Sequence, residues 1–212
     1  METKSIIIDY DFYKDYQDNT MFNKILTERI KYIQNKHFIK NINGDAFIEQ
    51  YFVEIFSWTV LSKDLLIDLD TVINTLLPNY ILLDPCSGNS FHTFLFNYYC
   101  NRDVITIDIQ PDDVPWIHTI EQDGLSYLKT NETHKDFALW LSWIDLTDQD
   151  LSYNLLKSFK GSVIISVGNY REVNSKKYLD LLNNEYKLVV QYFCEMPWNL
   201  VEEIKVFIRL NE

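Results

Sequence analysis

Glycine is scarce in this 212-residue chain, at five residues, and proline is no commoner. No repeat, low-complexity tract or Gly/Pro-rich linker interrupts it, which favours one structural unit over separated domains. Cysteine is limited to Cys86, Cys100 and Cys194, which form no CxxC pair and cannot all be bridged to one another. The chain also has no apolar signal-like stretch near its start and no run of 18 apolar residues. Together these absences point to a soluble, reduced, cytoplasmic protein that does not meet a membrane. Positive charge is short too: 19 basic against 31 acidic side chains leave a formal net charge of −12. That disfavours an unaided grip on phosphate backbones, so direct nucleic-acid binding would need a more basic partner. The basic cluster Lys24, Arg29, Lys31, Lys36 and Lys40 is diluted by Glu28, Asp45, Glu49 and Glu54. His37, His92, His118 and His134 show no HExxH or paired-ligand spacing, so no metal site is expected. There is no GxSxG elbow and no GxxxxGK[ST] loop. Asp9, Asp11 and Asp15 lack the glycine and final glutamate of a calcium loop and read as a solvated acidic arm.

The most informative stretch present is Ile81-Leu82-Leu83-Asp84-Pro85-Cys86-Ser87-Gly88-Asn89-Ser90-Phe91. An apolar strand runs into an acid and a tight turn. A helix follows with Phe91, Phe94, Leu95, Tyr98 and Tyr99 on one face. This is how a nucleotide-type cofactor site begins in a doubly wound α/β domain. The next apolar run, Val104-Ile105-Thr106-Ile107, ends at Asp108, close to the roughly 20-residue spacing at which a second-strand carboxylate reaches ribose hydroxyls.

Upstream, Ile6-Ile7-Ile8 belongs to an N-terminal arm that can hold a short strand. Met21, Phe22, Ile25, Leu26, Ile30 and Ile33 then recur at helical steps. The segment 41–45 breaks that helix, and a second carries Phe47, Ile48, Tyr51, Phe52, Ile55 and Phe56. A third starts at Ser62, a good N-cap, and stops at Pro78. Residues 1–78 therefore read as an arm and helical extension, and 79–212 as an α/β domain in the same unit. Strands are expected at 80–84, 104–108, 117–120, 137–142, 162–167, 186–193 and 203–210, with helices near 90–100, 123–129, 150–159 and 175–184. The last two strands are joined too tightly for a parallel crossover and should be antiparallel.

A seven-stranded, mostly parallel sheet with an antiparallel C-terminal hairpin resembles the Rossmann-like fold of class I S-adenosylmethionine-dependent methyltransferases. The resemblance covers about residues 56 to 210. It is narrower for a methyltransferase-like group with a Ser-Trp segment before the first strand. The residues that carry it are Phe56-Ser57-Trp58, the turn from Asp84 to Gly88, Gly161-Ser162-Val163-Ile164-Ile165-Ser166-Val167-Gly168, and Pro197-Trp198. It implies a sheet order of 3-2-1-4-5-7-6 and S-adenosylmethionine as cofactor. The turn with Asp84, Cys86, Gly88 and Asn89 would wrap the cofactor's methionine part, helped by Trp58. Asp84 would face the ammonium, Asp108 the ribose, Ile109 the adenine ring, and Asp123 with Gly124 the adenine amino edge. Each Asp also reads simply as a strand-end residue that caps the next helix.

The turn departs from the two or three glycines usual in active relatives, and Asn89, tolerant of positive φ, is expected to stand in for one of them. The end of the fourth strand reads Ser142-Trp143-Ile144-Asp145, where amino-directed methyltransferases often carry Asp or Asn, two prolines and an aromatic, and the group it resembles carries Trp-Pro-Pro. There Trp143 would stack on a flat acceptor and Asp145 would serve as base or amine acceptor, unless they pack in the core and cap a turn. No Lys-Asp-Lys-Glu tetrad can be assigned, which counts against cap-ribose methylation. Three readings therefore stand: a methyltransferase acting on an unidentified acceptor, a catalytically silent scaffold that binds a protein partner, and a nucleic-acid methyltransferase subunit. Trp116, in the loop 111–116, and Trp198 read either as partner anchors or as the rim of the core.

Overall fold

Runs such as Leu82-Leu83 and Val163-Ile164-Ile165 are apolar at every position, so they suit strands covered on both faces rather than one. The computed structural model, which describes residues 2–39, 44–131, 133–144, 150–168, 175–198 and 200–210, places them at the centre of a sheet. The chain opens with strand β1 (Glu2–Ile7) and a short 3-10 turn (Phe12–Tyr16), followed by helices α1 (Thr20–Lys36), α2 (Gly44–Gln50), α3 (Phe52–Ile55) and α4 (Lys63–Leu76). Alternation then begins with β2 (Ile81–Asp84), α5 (Phe91–Cys100), β3 (Val104–Asp108), β4 (Ile120–Glu121) and α6 (Gly124–Thr130). It continues through β5 (Phe137–Ser142), α7 (Leu151–Ser158), β6 (Val163–Gly168) and α8 (Lys176–Glu185), and closes with β7 (Tyr186–Glu195) and β8 (Val201–Arg209).

The sheet order is β1-β7-β8-β6-β5-β2-β3-β4, with β8 antiparallel to both neighbours and the other pairs parallel. The seven strands read from the sequence thus stand in the expected order, and β1 adds an eighth at the edge by pairing with β7. The third expected strand is shorter than its pattern suggested, since only Ile120 and Glu121 pair with Ile107 and Asp108.

Two apolar clusters lie on opposite faces of the sheet. Alternation along β5 sends Ala138 and Trp140 into one and Leu139 and Leu141 into the other. The N-terminal segments share the first cluster with α5, and α7 and α8 supply the second. Ser62 caps α4 as expected, accepting from the Leu65 N–H at 3.3 Å, and Asn19 caps α1. Two helix readings need correction. The helix expected through 47–56 is interrupted at Tyr51, giving two short pieces. The buried face of α1 runs through Phe22, Leu26, Arg29 and Ile33, while Met21 stays exposed. Arg29 therefore belongs to the core and not to a surface basic cluster. No helix among the described residues is long and apolar enough to cross a membrane.

Trp116 is also settled by packing. It is 1% exposed, donates from Nε1 to the Ile55 carbonyl at 2.8 Å, and contacts Phe22, Phe56, Phe91 and Phe94. It is core, and so unavailable as a partner anchor. Trp198 packs on Phe52 and the same cluster.

Candidate functional site

In a parallel sheet with helices on both faces, the carboxyl ends of adjacent strands open onto the crevice where ligands bind. Here β2 ends at Asp84, β3 at Asp108 and β5 at Ser142, just before Trp143, and two cavities meet at that edge. The first, of about 200 Å³, has Asp84, Asn89, His92, Trp58 and Ser142 in its wall. The second, of about 480 Å³, is bounded by Asp108, Ile109, Asp123, Gly124, Leu125 and Ile144. Cys86, Gly88 and Trp143 belong to both, so the turn and the tryptophan form the partition between them.

The turn that follows β2 is held on three sides. Ser87 N–H donates to the Ile107 carbonyl at 2.9 Å, and Gly88 N–H donates to Asp108 Oδ2 at 2.8 Å, which ties it to the end of β3. The Asn89 amide donates to the Phe56 carbonyl at 2.5 Å, and the Asn89 carbonyl accepts from Trp116 N–H at 2.8 Å. The expectation that Asn89 takes a left-handed conformation is not met. Positive φ falls at Gly88 (53°) and Ser90 (64°), and Asn89 instead uses its side chain to join the turn to the N-terminal segment. A Cβ at Gly88 would meet nothing within 4 Å, so the bare backbone faces open cavity.

Gly124 is needed for a different reason. A Cβ there would lie 2.2 Å from the Pro85 carbonyl oxygen, so α6 can start this close to the turn only with glycine. Gly124→Ala is expected to cost about 1–3 kcal/mol of stability, because backbone must move to relieve the overlap. Denaturant titration checks this, and an unchanged midpoint would show that the two segments are not in tight contact.

The carboxylates differ sharply in their surroundings. Asp84 is 4% exposed, and its one hydrogen-bond partner among the described residues is the Cys86 N–H at 3.4 Å. Burial, with a smaller push from Asp108, raises its pKa to about 8, and no cation pairs with it among the described residues. Asp108 accepts from the Gly88 and Gln110 backbone N–H groups, which leaves lone pairs on both oxygens free for the cavity. Asp123 caps α6, accepting from Ser126 N–H at 2.9 Å and from the Ser126 hydroxyl, which lowers its pKa. Its capping role and its place in the cavity wall coexist.

Trp143 has φ of +47°, a left-handed conformation that a bulky residue rarely adopts and that tends to mark functional positions. Its indole Nε1 donates to Thr59 Oγ1 at 2.9 Å, and its ring lies 5.7 Å from that of Trp58. Trp143 is therefore at the cavity edge and not in the core. Asp145 lies outside the described residues.

The sequence reading gave no site role to Val53, Ser57, His92, Leu125, Ile144 or Leu151, all of which line the two cavities. Leu125 and Ile144 adjoin residues that were singled out, so adjacency was the available signal. His92 had none, because it reaches the site from α5. Its Nε2 bonds the Thr59 carbonyl at 2.7 Å, and burial lowers its pKa to about 4. Among the described residues, no group of three or more His, Cys, Asp or Glu could hold a metal ion.

No family profile matches the chain, and no curated protein matches it in sequence. Solved structures do match in fold. A point mutant of MtNAS superposes with a TM-score of 0.52 at 12% identity, over 96% of this chain and 83% of the other. A candidate O-methyltransferase from Klebsiella pneumoniae gives 0.53 at 10% identity, over 85% and 96%. Cofactor-bound Rv0187 from MTB gives 0.53 at 9% identity, over 86% and 96%. At such identities the likeness establishes the architecture, which is the Rossmann-like class I methyltransferase fold.

Proposed function

We propose that this protein binds S-adenosylmethionine and transfers its methyl group to an acceptor. The observation that carries the reading is Asp84, a buried carboxylate with no cationic partner among the described residues, in a cavity wall that adjoins a second cavity edged by Asp108. A carboxylate in that position is costly unless a cation meets it, and the cofactor's ammonium is such a cation. The bare backbone at Gly88 lets a ligand approach the partition, and the free lone pairs of Asp108 suit ribose hydroxyls. Ile109, 73% exposed, faces the same cavity as Leu125 and Ile144, and these side chains together suit a flat heteroaromatic ring. Asp123 is then left to meet the ring's amino edge.

The cofactor supplies a methyl group already activated on a sulfonium. The chain's own task is therefore to position the reactants and exclude water, which is worth several orders of magnitude in rate. Trp58 and Trp143 are the side chains we assign to the acceptor side of the partition. The glycine-poor turn does not favour the silent-scaffold reading, because its positive-φ positions are taken by Gly88 and Ser90 and its inner side is open.

The test is thermal unfolding with S-adenosylmethionine and S-adenosylhomocysteine. Ligand at about 100 times its dissociation constant should stabilise the fold by about 2.7 kcal/mol, or roughly 5–10 °C for a chain of this size. Asp108→Asn keeps one acceptor oxygen for the turn and removes the charge, so it should cut that shift to less than about half. If neither ligand shifts the wild-type transition, the cofactor reading fails and the silent scaffold stands.

A further inference from the structure

The cavity wall on the acceptor side is aromatic. Trp58, 49% exposed, and Trp143 meet at an interplanar angle of 36°, forming an open aromatic corner beside Asp84. Trp143 is not free to turn away. Its indole N–H is held by Thr59 Oγ1, and the Thr59 carbonyl is in turn bonded by His92 Nε2, so two buried residues, Thr59 and His92, aim the ring. The bond to Thr59 and the φ of +47° both fix one residue at the cavity edge, and holding a bulky side chain in that conformation costs free energy. Electrostatics favour one sign of ligand. Asp108 and Asp123 line the second cavity, Asp84 in the first ionises once a cation meets it, and no Lys or Arg lines either cavity among the described residues. His92 adds no charge near neutral pH, since burial holds its pKa at about 4. The net charge of −12 extends the same preference to long range.

Resting on the cofactor reading above, we propose that the Trp58–Trp143 corner is the acceptor subsite and that it selects a small acceptor carrying an ammonium group over neutral or anionic ones. Ring faces attract a cation through their quadrupole, more strongly when water is partly excluded. A phosphate-bearing acceptor would meet the carboxylates of Asp108 and Asp123 across the partition and no balancing cation among the described residues of either cavity wall.

Three probes separate the possibilities: choline, its uncharged isostere 3,3-dimethylbutan-1-ol, and inorganic phosphate. Each is titrated by tryptophan fluorescence against protein saturated with S-adenosylhomocysteine. Choline should bind about fivefold or more tighter than the isostere, with no saturable response to phosphate. Trp143→Gly removes the ring while relieving the positive φ, so it should fold and lose the preference, read as isothermal heats at the same probe concentrations. Equal affinity for choline and the isostere would overturn the proposal. So would a choline preference that S-adenosylhomocysteine abolishes, because the cation would then be occupying the place beside Asp84. Failure of S-adenosylhomocysteine itself to stabilise the wild-type protein would instead strike the cofactor reading.

Discussion

Asp84→Asn is expected to stabilise the ligand-free protein at neutral and alkaline pH while weakening its response to the cofactor. The folded-state pKa of Asp84 is raised to about 8, chiefly by burial. Its unfolded value is that of an ordinary Asp. Between the two, the folded state holds a proton that the unfolded state has released, so wild-type stability falls as pH rises from about 4 towards about 8. The slope approaches 1.4 kcal/mol per pH unit, an accumulated loss on the order of 4 kcal/mol near pH 7. Asn retains an acceptor for the Cys86 N–H and never ionises. The variant and the wild type should therefore match near pH 4 and diverge upward in pH, with the variant unfolding roughly 10–20 °C higher near pH 8. Because the ammonium loses its charged partner, cofactor affinity should fall at least about tenfold. Scanning calorimetry across pH, with and without S-adenosylmethionine, reads both effects. A variant no more stable than wild type near pH 8 would mean that the carboxylate is not strained by burial.

Arg29→Ala should be among the most destabilising single changes in the chain. Its side chain is 1% exposed and donates to the carbonyls of Ile55, Val114 and Glu54, with Asp112 Oδ1 at 3.3 Å. Burial lowers its pKa, and Asp112 opposes that shift. One guanidinium thus joins α1 to α3 and to the loop after β3. Removing it strands buried acceptors and leaves a void, for an expected loss of about 3–5 kcal/mol. Arg29→Met, which keeps most of the volume, should recover only the packing share. Urea titration followed by tryptophan emission measures both. A loss under about 1 kcal/mol for Arg29→Ala would show that water can replace the guanidinium.

The parallel sheet was legible because its evidence is local. Continuous apolar runs, each closed by an acid or a turn, specify buried strands, and a short connection between the last two forces them antiparallel. The cavity residues at strand ends were legible for the same reason, since Asp84 and Asp108 each end a strand and Trp143 follows one directly. Local pattern misled where a polar group was buried by distant partners. Arg29 looks like a surface cation until carbonyls from 26 and 85 residues away surround it. Asn89 looks like a glycine substitute until Phe56, 33 residues upstream, accepts its amide.

The order of strands and helices and the acids at the strand ends were determined by the sequence alone, because hydrophobic period and chain reversal are properties of short windows. Only the tertiary structure decided that Trp116 fills the core while Trp143 edges the cavity, and that the N-terminal segment brings Val53 and Ser57 to the site beside Trp58. Those outcomes depend on which remote atoms satisfy each buried donor and fill each gap, and no short window of sequence contains them.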